Sequence, residues 1–162
     1  MKLFSKNNGR KGFTLIELLV VITIIGIFIM TAVPYLSSFI QNTQTTNVVD
    51  QLTIDLNASR IEALSSGEDV TFEIKYSGSD KAYIWEVKKD KTTTKSHIIL
   101  NENISVSYRK SKIHFSSLGF LQDENKKNIT YNAITICNVS SGTGSIIALN
   151  AFGKTSVAEA SC

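Results

Sequence analysis

A run of mostly apolar residues, Phe13–Val33, constrains this chain more than any other feature of its sequence. As an α-helix, these roughly 21 residues would span about 32 Å at about 1.5 Å per residue, which is long enough to cross a bilayer. One carboxylate, Glu17, lies inside the run. Because a charge at the centre of a bilayer costs roughly 2.5–3.5 kcal/mol, such a carboxylate is usually functional and usually paired. The function of the protein therefore has to account for Glu17.

Positive charge precedes the apolar run, which predicts a cytoplasmic N-terminus and an exported remainder. A cleaved secretory signal peptide is disfavoured, because it needs an apolar core of about 7–15 residues followed by a small-x-small cleavage site. The stretch Thr31–Tyr35 is a poor site of this kind. A plain single-pass anchor gives Glu17 no role. The third alternative is a leader, residues 1–12, that is cut on the cytoplasmic side while the apolar helix is retained.

Bulk charge does not indicate a nucleic-acid binder. The formal net charge is +3, but four of the 17 Lys and Arg residues lie in the leader, which leaves 13 basic side chains against 14 acidic ones. The chain contains two histidines, His97 and His114, and neither lies in a recognisable motif. No nucleophile elbow, phosphate-binding loop or metal-ligand spacing is present. We therefore expect no catalytic residue, no metal ion and no cofactor.

After Pro34 the apolar residues recur at helical spacing, and their stripe should be covered by a domain. Proline lacks the backbone N–H of a helix interior, so a kink is expected at Pro34. The sequence Ser65-Ser66-Gly67 supplies a stop, which predicts one helix over residues 13–66 with residues 13–33 in the membrane. The apolar stripe consists of Val48, Val49, Leu52, Leu56, Ile61 and Leu64.

Residues 67–162 are predicted to form a globular β-rich head. Val70–Tyr76 and Tyr83–Val87 alternate with period two and should form a hairpin, followed by a charged loop at Lys88–Lys95. The predicted fold is α+β, a long kinked helix packed on an antiparallel sheet. The further predicted strands are Ile98–Leu100, Ile104–Tyr108, Ile113–Phe115, Tyr131–Cys137, Ser145–Asn150 and a last one near Thr155–Ala158.

The two cysteines, Cys137 and Cys162, fit no metal-ligand spacing. If this part of the chain lies outside the cytoplasm, a disulfide between them is expected, and two free thiols are the alternative.

The block Lys11–Val21, KGFTLIELLVV, resembles the N-terminal signature of type IV prepilins and pseudopilins. The resemblance implies that a prepilin peptidase cuts between Gly12 and Phe13 and that the new Phe13 amine is methylated. It also implies that Glu17 is the assembly carboxylate, and we hypothesise that it pairs with the Phe13 amine of an adjacent subunit. Gly26 and Pro34 would bracket a segment that unwinds locally in related pili, or they are simply tolerated in a membrane helix.

The head resembles the GspH/FimT group of minor pilins and pseudopilins. The similar stretches are Ile113–Phe120, Ile134–Cys137 and Ile146–Lys154, together with the terminal cysteine. Some members of this group bind DNA through a Gly-Arg-x-Arg stretch, where this chain has Gly153-Lys154-Thr155-Ser156. Arginine is the better phosphate ligand, so a solvated loop surface is the favoured interpretation. The candidate DNA contacts are Lys154, Arg109, Lys110 and Lys112.

The resemblance implies a structural subunit that primes a type IV pilus or belongs to its tip complex. The expected partners are other major and minor pilins, the prepilin peptidase and an inner-membrane assembly platform. The chain would cross the inner membrane once, with its head in the periplasm, and enter the pilus or pseudopilus on assembly. Two alternatives stay open: a pilus-borne DNA-binding subunit for natural transformation, and a pseudopilin of a type II secretion system.

Overall fold

The computed structural model describes residues 12–90, 92–99 and 101–162, except for the side chains of Thr31 and Pro34. The chain divides into two compact units, Met1–Phe39 and Ile40–Cys162. Within the described residues, one helix, α1, is followed by nine strands. Their bounds are α1 Leu15–Ser66, β1 Val70–Ser77, β2 Ala82–Lys89, β3 Thr92–Ile99, β4 Ile104–Tyr108, β5 Lys112–Phe115, β6 Leu121–Gln122, β7 Tyr131–Asn138, β8 Thr143–Asn150 and β9 Thr155–Ser161.

Helix α1 ends at Ser66, where the sequence predicted a stop. Gly67 has a φ of 70°, which glycine adopts without a steric penalty, and its N–H donates to the carbonyl of Ala63 at 3.0 Å. This is the left-handed cap that commonly closes a helix. The kink predicted at Pro34 stays a prediction, because the side chain of Pro34 lies outside the described residues.

The second unit covers one face of α1 from residue 45 onward. The buried positions recur every three or four residues and include polar side chains that the apolar stripe did not anticipate. Ile61 is 60 % exposed and Leu64 is 45 % exposed, so their predicted place in the covered stripe is wrong. Ile61 follows Leu56 by five residues, which rotates it away from the buried face. The buried helix positions are Thr45, Val49, Leu52, Asp55, Leu56, Ser59 and Ala63.

The strands form two antiparallel sheets. Sheet 1 has the order β3-β2-β1-β5-β6, and sheet 2 has the order β4-β7-β8-β9. The predicted hairpin is confirmed, since Tyr76 lies opposite Tyr83 and Phe72 lies opposite Val87. Alternation along β1, β5 and β7 directs one row of apolar side chains into a core that includes Phe72, Phe115 and Ile134. This is the predicted α+β arrangement, with its strands divided between two sheets.

The charged loop predicted at Lys88–Lys95 is wrong at both ends, because Lys88 and Lys89 belong to β2 and the residues from Thr92 onward belong to β3. Residues Thr92–Ile99 form β3, an edge strand that pairs with β2. The strand is almost entirely exposed, so it carries none of the apolar alternation that marks a half-buried strand in sequence. Three consecutive β-branched threonines favour extended backbone, and pairing with β2 supplies the hydrogen bonds.

Candidate functional site

The N-terminal turn of α1 is closed by a reciprocal pair of hydrogen bonds. The Glu17 N–H donates to Thr14 Oγ1 at 3.2 Å, and the Thr14 N–H donates to Glu17 Oε2 at 3.5 Å. This is a capping box, in which a Thr and a Glu three residues later satisfy two free backbone donors. The spacing Thr14-x-x-Glu17 is the sequence signature of this motif, but the motif was not among the predictions. Glu17 therefore has a role within its own chain in addition to any role between chains.

The described residues of the apolar segment that follows are nearly all exposed. Phe13 is 82 % exposed and Leu15 is 83 % exposed, and α1 is long and apolar enough to cross a membrane. A Cβ added at Gly26 would meet nothing within 4 Å, so packing within the chain does not require a glycine there. The predicted leader, apart from Gly12, lies outside the described residues.

A disulfide joins Cys137 and Cys162, and it crosses the strand that lies between them. Cys137 is on β7 and Cys162 follows β9, while Gly144 of β8 lies directly beneath the bridge. A Cβ on Gly144 would lie 2.7 Å from Cys162 Sγ and would also collide with the carbonyl oxygen of Ile136. The glycine thus leaves the space through which the bridge passes.

Replacing Gly144 by alanine is expected to reduce the oxidised fraction and to lower the free energy of unfolding by about 3 kcal/mol. A bridge closing a loop of this length stabilises by roughly that amount in the chain-entropy model. Thiol labelling of the unfolded chain reports the oxidised fraction, and denaturant unfolding reports stability. Gly78→Ala is the matched control, because a Cβ there meets nothing within 4 Å. Full oxidation and unchanged stability of Gly144→Ala would contradict the expectation.

Asp55 is the most constrained ionisable group in the described part of the chain. It lies on α1, is fully buried, and accepts hydrogen bonds from Trp85 Nε1 at 2.8 Å, from Gln51 Nε2 at 3.1 Å and from Lys95 Nζ. His97 stacks on Trp85 with ring centroids 5.0 Å apart. Burial by itself raises the pKa of the Asp55 carboxyl, but the bonds from Lys95, Trp85 and Gln51 outweigh it and hold the pKa below 3.8. Asp55 therefore fastens α1 to β2 and β3.

A second ionic cluster lies on the outer face of sheet 1. Glu73 and Glu86 are directly opposite each other, and Lys88 bonds them at 2.7 and 2.9 Å. Burial raises the pKa of Glu73, but the bonds from Lys88 and Lys75 outweigh it and lower the pKa below 4.5. This cluster neutralises two like charges that would otherwise repel across the strands.

Acid is expected to destabilise the protein through these carboxyl groups. The folded-state pKa values of Asp55 and Glu73 lie below their ordinary values of 3.8 and 4.5, so their stabilisation is present above those values. It is lost as the pH falls through and below the same range. Melting temperatures should be nearly constant from about pH 7 to 5 and fall below about pH 4.5. A constant melting temperature down to about pH 3 would contradict this linkage.

Three of the candidate DNA contacts lie at one end of sheet 2. The Arg109 N–H donates to the carbonyl of Ala133 at 3.1 Å, while the Asn150 N–H donates to the carbonyl of Lys154 at 3.1 Å. With neighbouring strands about 4.8 Å apart, the β4 end and the β8–β9 turn are separated by about 14 Å. Among the described residues, Arg109, Lys110 and Lys154 make no ion pair. Lys112 differs, since it lies 3.9 Å from both Glu73 and Glu124.

The two histidines lie on different strands, where His97 stacks on Trp85 and His114 contacts Thr71. His114 Nδ1 lies 3.0 Å from Thr71 Oγ1, and its Nε2 is buried without a hydrogen-bond partner. Burial lowers the pKa of His114, which favours the neutral imidazole. No group of three or more potential metal ligands occurs in residues 12–90, 92–99 and 101–162.

The N-terminus of the chain is similar in sequence to known proteins. Residues 7–33 match the family model of the prokaryotic N-terminal methylation motif. Fimbrial protein Q of Moraxella bovis is 53 % identical over 45 residues, which is 28 % of this chain and 29 % of that protein. A fimbrial protein of Pseudomonas aeruginosa is 36 % identical over 62 residues, which is 38 % of this chain and 40 % of that protein. The chain thus spans well under half the length of these curated relatives.

The fold extends the similarity to the head. A crystal structure of the type IV minor pilin FimU of Pseudomonas aeruginosa matches with a TM-score of 0.57 at 15 % identity, covering 74 % of this chain and 92 % of that one. The chain carries the prokaryotic N-terminal methylation motif and shares its fold with the minor pilin FimU. A methylation motif, an apolar N-terminal helix and a helix-on-sheet head occur together in it.

Proposed function

We propose that this pilin-like chain is a minor pilin that primes a type IV pilus or belongs to its tip complex. The observation that carries the proposal is the head fold, which covers 92 % of the minor pilin FimU. On this proposal, a prepilin peptidase removes residues 1–12 and the Phe13 amine is methylated. The helix then holds the chain in the inner membrane with the head in the periplasm, until an assembly platform transfers it to the filament.

In the proposed assembly step, the Glu17 carboxylate of one chain pairs with the positively charged Phe13 amine of its neighbour. An unpaired carboxylate is costly in hydrocarbon, so pairing favours the assembled state. Close pairing also fixes the axial register of adjacent helices. The capping box is compatible with this step, because Thr14 engages only one oxygen of the carboxylate and leaves the other free to accept from a cation.

A deletion strain tests the proposal when pili, type II secretion and DNA uptake are scored in parallel. Loss of at least tenfold in surface pili by electron microscopy, restored by the intact gene, is the expected result. Normal pili with loss of type II secretion would instead identify a pseudopilin of that system. Normal pili with loss of DNA uptake alone would identify a DNA receptor.

The basic end of sheet 2 supports DNA binding as a second candidate function. Arg109, Lys110 and Lys154 lie at this end and make no ion pair within the described residues, and cations so placed can neutralise phosphates. Asp123 and Glu124 line the same groove as Arg109 and Lys110 and reduce its positive charge. Lys112 is the weakest candidate, because it is shared between two glutamates.

If DNA binds at this end, replacing Arg109 and Lys110 by alanine should weaken binding and flatten its salt dependence by about two units of slope. A mobility-shift assay with the full-length chain in detergent, at low and moderate salt, measures both. Lys81→Ala is the control, since Lys81 is an exposed lysine bonded to Glu102. Absence of binding by the unaltered chain at low salt would reject this function.

A further inference from the structure

Strand β9 is an open edge of sheet 2. Within the described residues it pairs with β8 alone, and it is exposed along most of its seven residues, with Val157 50 % exposed. The opposite edge, β4, differs because its Ile104 and Val106 are only 4 % and 8 % exposed. An exposed edge offers a row of unpaired backbone donors and acceptors that another strand can bind.

The hydrogen-bond pattern identifies which backbone groups of β9 point outward. The Asn150 N–H donates to the carbonyl of Lys154, and the Cys162 N–H donates to the carbonyl of Gly142. The backbone groups of the even-numbered β9 residues therefore face β8. In an antiparallel ladder, successive residues alternately bond the partner strand and point away from it. Val157 and Glu159 therefore direct both their N–H and their C=O away from the sheet. These groups repeat every second residue, which is the pattern that an extended polypeptide complements.

Both ends of β9 are fastened, so the edge is pre-organised. At its start, Asn57 Nδ2 donates to Thr155 Oγ1 at 2.9 Å, and Thr155 Oγ1 lies 3.1 Å from Asn57 Oδ1. At its end, the disulfide to Cys137 holds Cys162 across β8. A strand that is already ordered loses little conformational entropy when it binds a partner.

The side chains of β9 do not block an added strand, and they indicate its charge. A groove of about 430 Å³ lies between the polar helix residues Asn42 and Thr45 and the ends of β8 and β9. The strand carries neither the lysine nor the proline that natural edges use to prevent pairing. Its one charged side chain is Glu159, which makes no ion pair within the described part of the chain.

We propose that β9 accepts an extended strand of a neighbouring pilin-type subunit and that a Lys or Arg of this strand faces Glu159. The proposal rests on the pilin assembly described above and adds a contact between heads. The added strand bonds the outward backbone groups of Val157 and Glu159, so affinity comes from the main chain and selectivity from the charge.

The matched variants Val157→Pro and Val157→Ala test this contact. Proline removes an N–H that points away from β8 and is tolerated at such edge positions, whereas alanine keeps the N–H. Photo-cross-linking residues at Ser156 and at Ala158 of the full-length chain, expressed in a piliated host, report the partner by mass spectrometry. An oxidised disulfide and an unchanged melting temperature show that each variant is folded.

Cross-links from Ser156 and Ala158 should map to partner residues two positions apart in one segment, with a Lys or Arg nearby. Val157→Pro should lower their yield at least tenfold, and Val157→Ala should change it less than twofold. Glu159→Lys should also lower the yield at least tenfold, which provides a second variant if proline disturbs folding.

Equal yields with proline, or partner residues without the two-residue step, would overturn the proposal. Normal piliation without these cross-links rejects strand addition alone, whereas a deletion that leaves pili intact rejects the proposed function.

Discussion

Replacing Glu17 by glutamine should reduce incorporation into pili at least tenfold, as much as replacing it by valine. Glutamine preserves the capping box, because its side-chain oxygen can still accept from the Thr14 N–H. It removes the charge that we propose pairs with the Phe13 amine of a neighbour. Equal defects would therefore assign the effect to the charge and not to the helix cap. Immunoblotting of sheared pili against the membrane fraction measures incorporation.

Thr14→Ala provides the control for this experiment. It removes the hydroxyl that accepts from the Glu17 N–H at 3.2 Å and leaves the carboxylate in place. Loss of such a cap costs about 0.5–2 kcal/mol of helix stability. We expect incorporation within about threefold of the unaltered chain. If Glu17→Gln assembles normally while Glu17→Val and Thr14→Ala do not, the carboxylate acts through the cap and the proposed pairing is wrong.

Asp55→Ala is expected to lower the free energy of unfolding by about 3–5 kcal/mol, the usual cost of breaking a buried charge pair by removing one partner. The change leaves the indole N–H of Trp85, a residue only 2 % exposed, without the acceptor that now lies 2.8 Å away. It also removes the carboxylate that Lys95 reaches from β3. Denaturant unfolding of the full-length chain in detergent, followed by far-UV circular dichroism, measures the loss.

Two comparisons separate the contributions at this position. Asp55→Asn keeps an oxygen for Trp85 and loses the charge, so its cost should be smaller than that of alanine. Asp50→Ala removes an exposed aspartate of the same helix and should change stability by less than about 0.5 kcal/mol. The chain has a single tryptophan, so the emission of Trp85 reports directly on this cluster. An Asp55→Ala variant as stable as Asp50→Ala would show that the buried carboxylate contributes no net stability.

The sequence predicted the helix, its stop at Gly67 and most of the strands because local patterns dictate them. Apolar residues that recur every three or four positions identify a helix, and alternation of apolar and polar residues identifies a half-buried strand. Neither pattern requires knowledge of what covers the element. The same rule failed for β3, whose exposed residues do not alternate between apolar and polar. It also failed for Ile61, because an apolar residue on a helix does not reveal whether a sheet covers it.

Some residues of the candidate site were predictable from sequence, and others were not. The sequence alone located Glu17 and the block around Gly12 and Phe13, since the motif is continuous in sequence. It also contains the signature of the capping box, Thr14-x-x-Glu17. It gave no sign of the cluster around Asp55, because Trp85 and Lys95 lie 30 and 40 residues away along the chain.

The methylation motif at the N-terminus was thus determined by the sequence alone, since it is a short continuous segment whose chemistry does not depend on the fold. Long-range pairing decided how the strands of the head are ordered and which side chains meet between them. Only the tertiary structure brought Arg109 and Lys154 to one end of sheet 2, passed the disulfide over Gly144 and left β9 as an open edge. Those features depend on which strands are neighbours, and strand order is set by the packing of the whole core against α1.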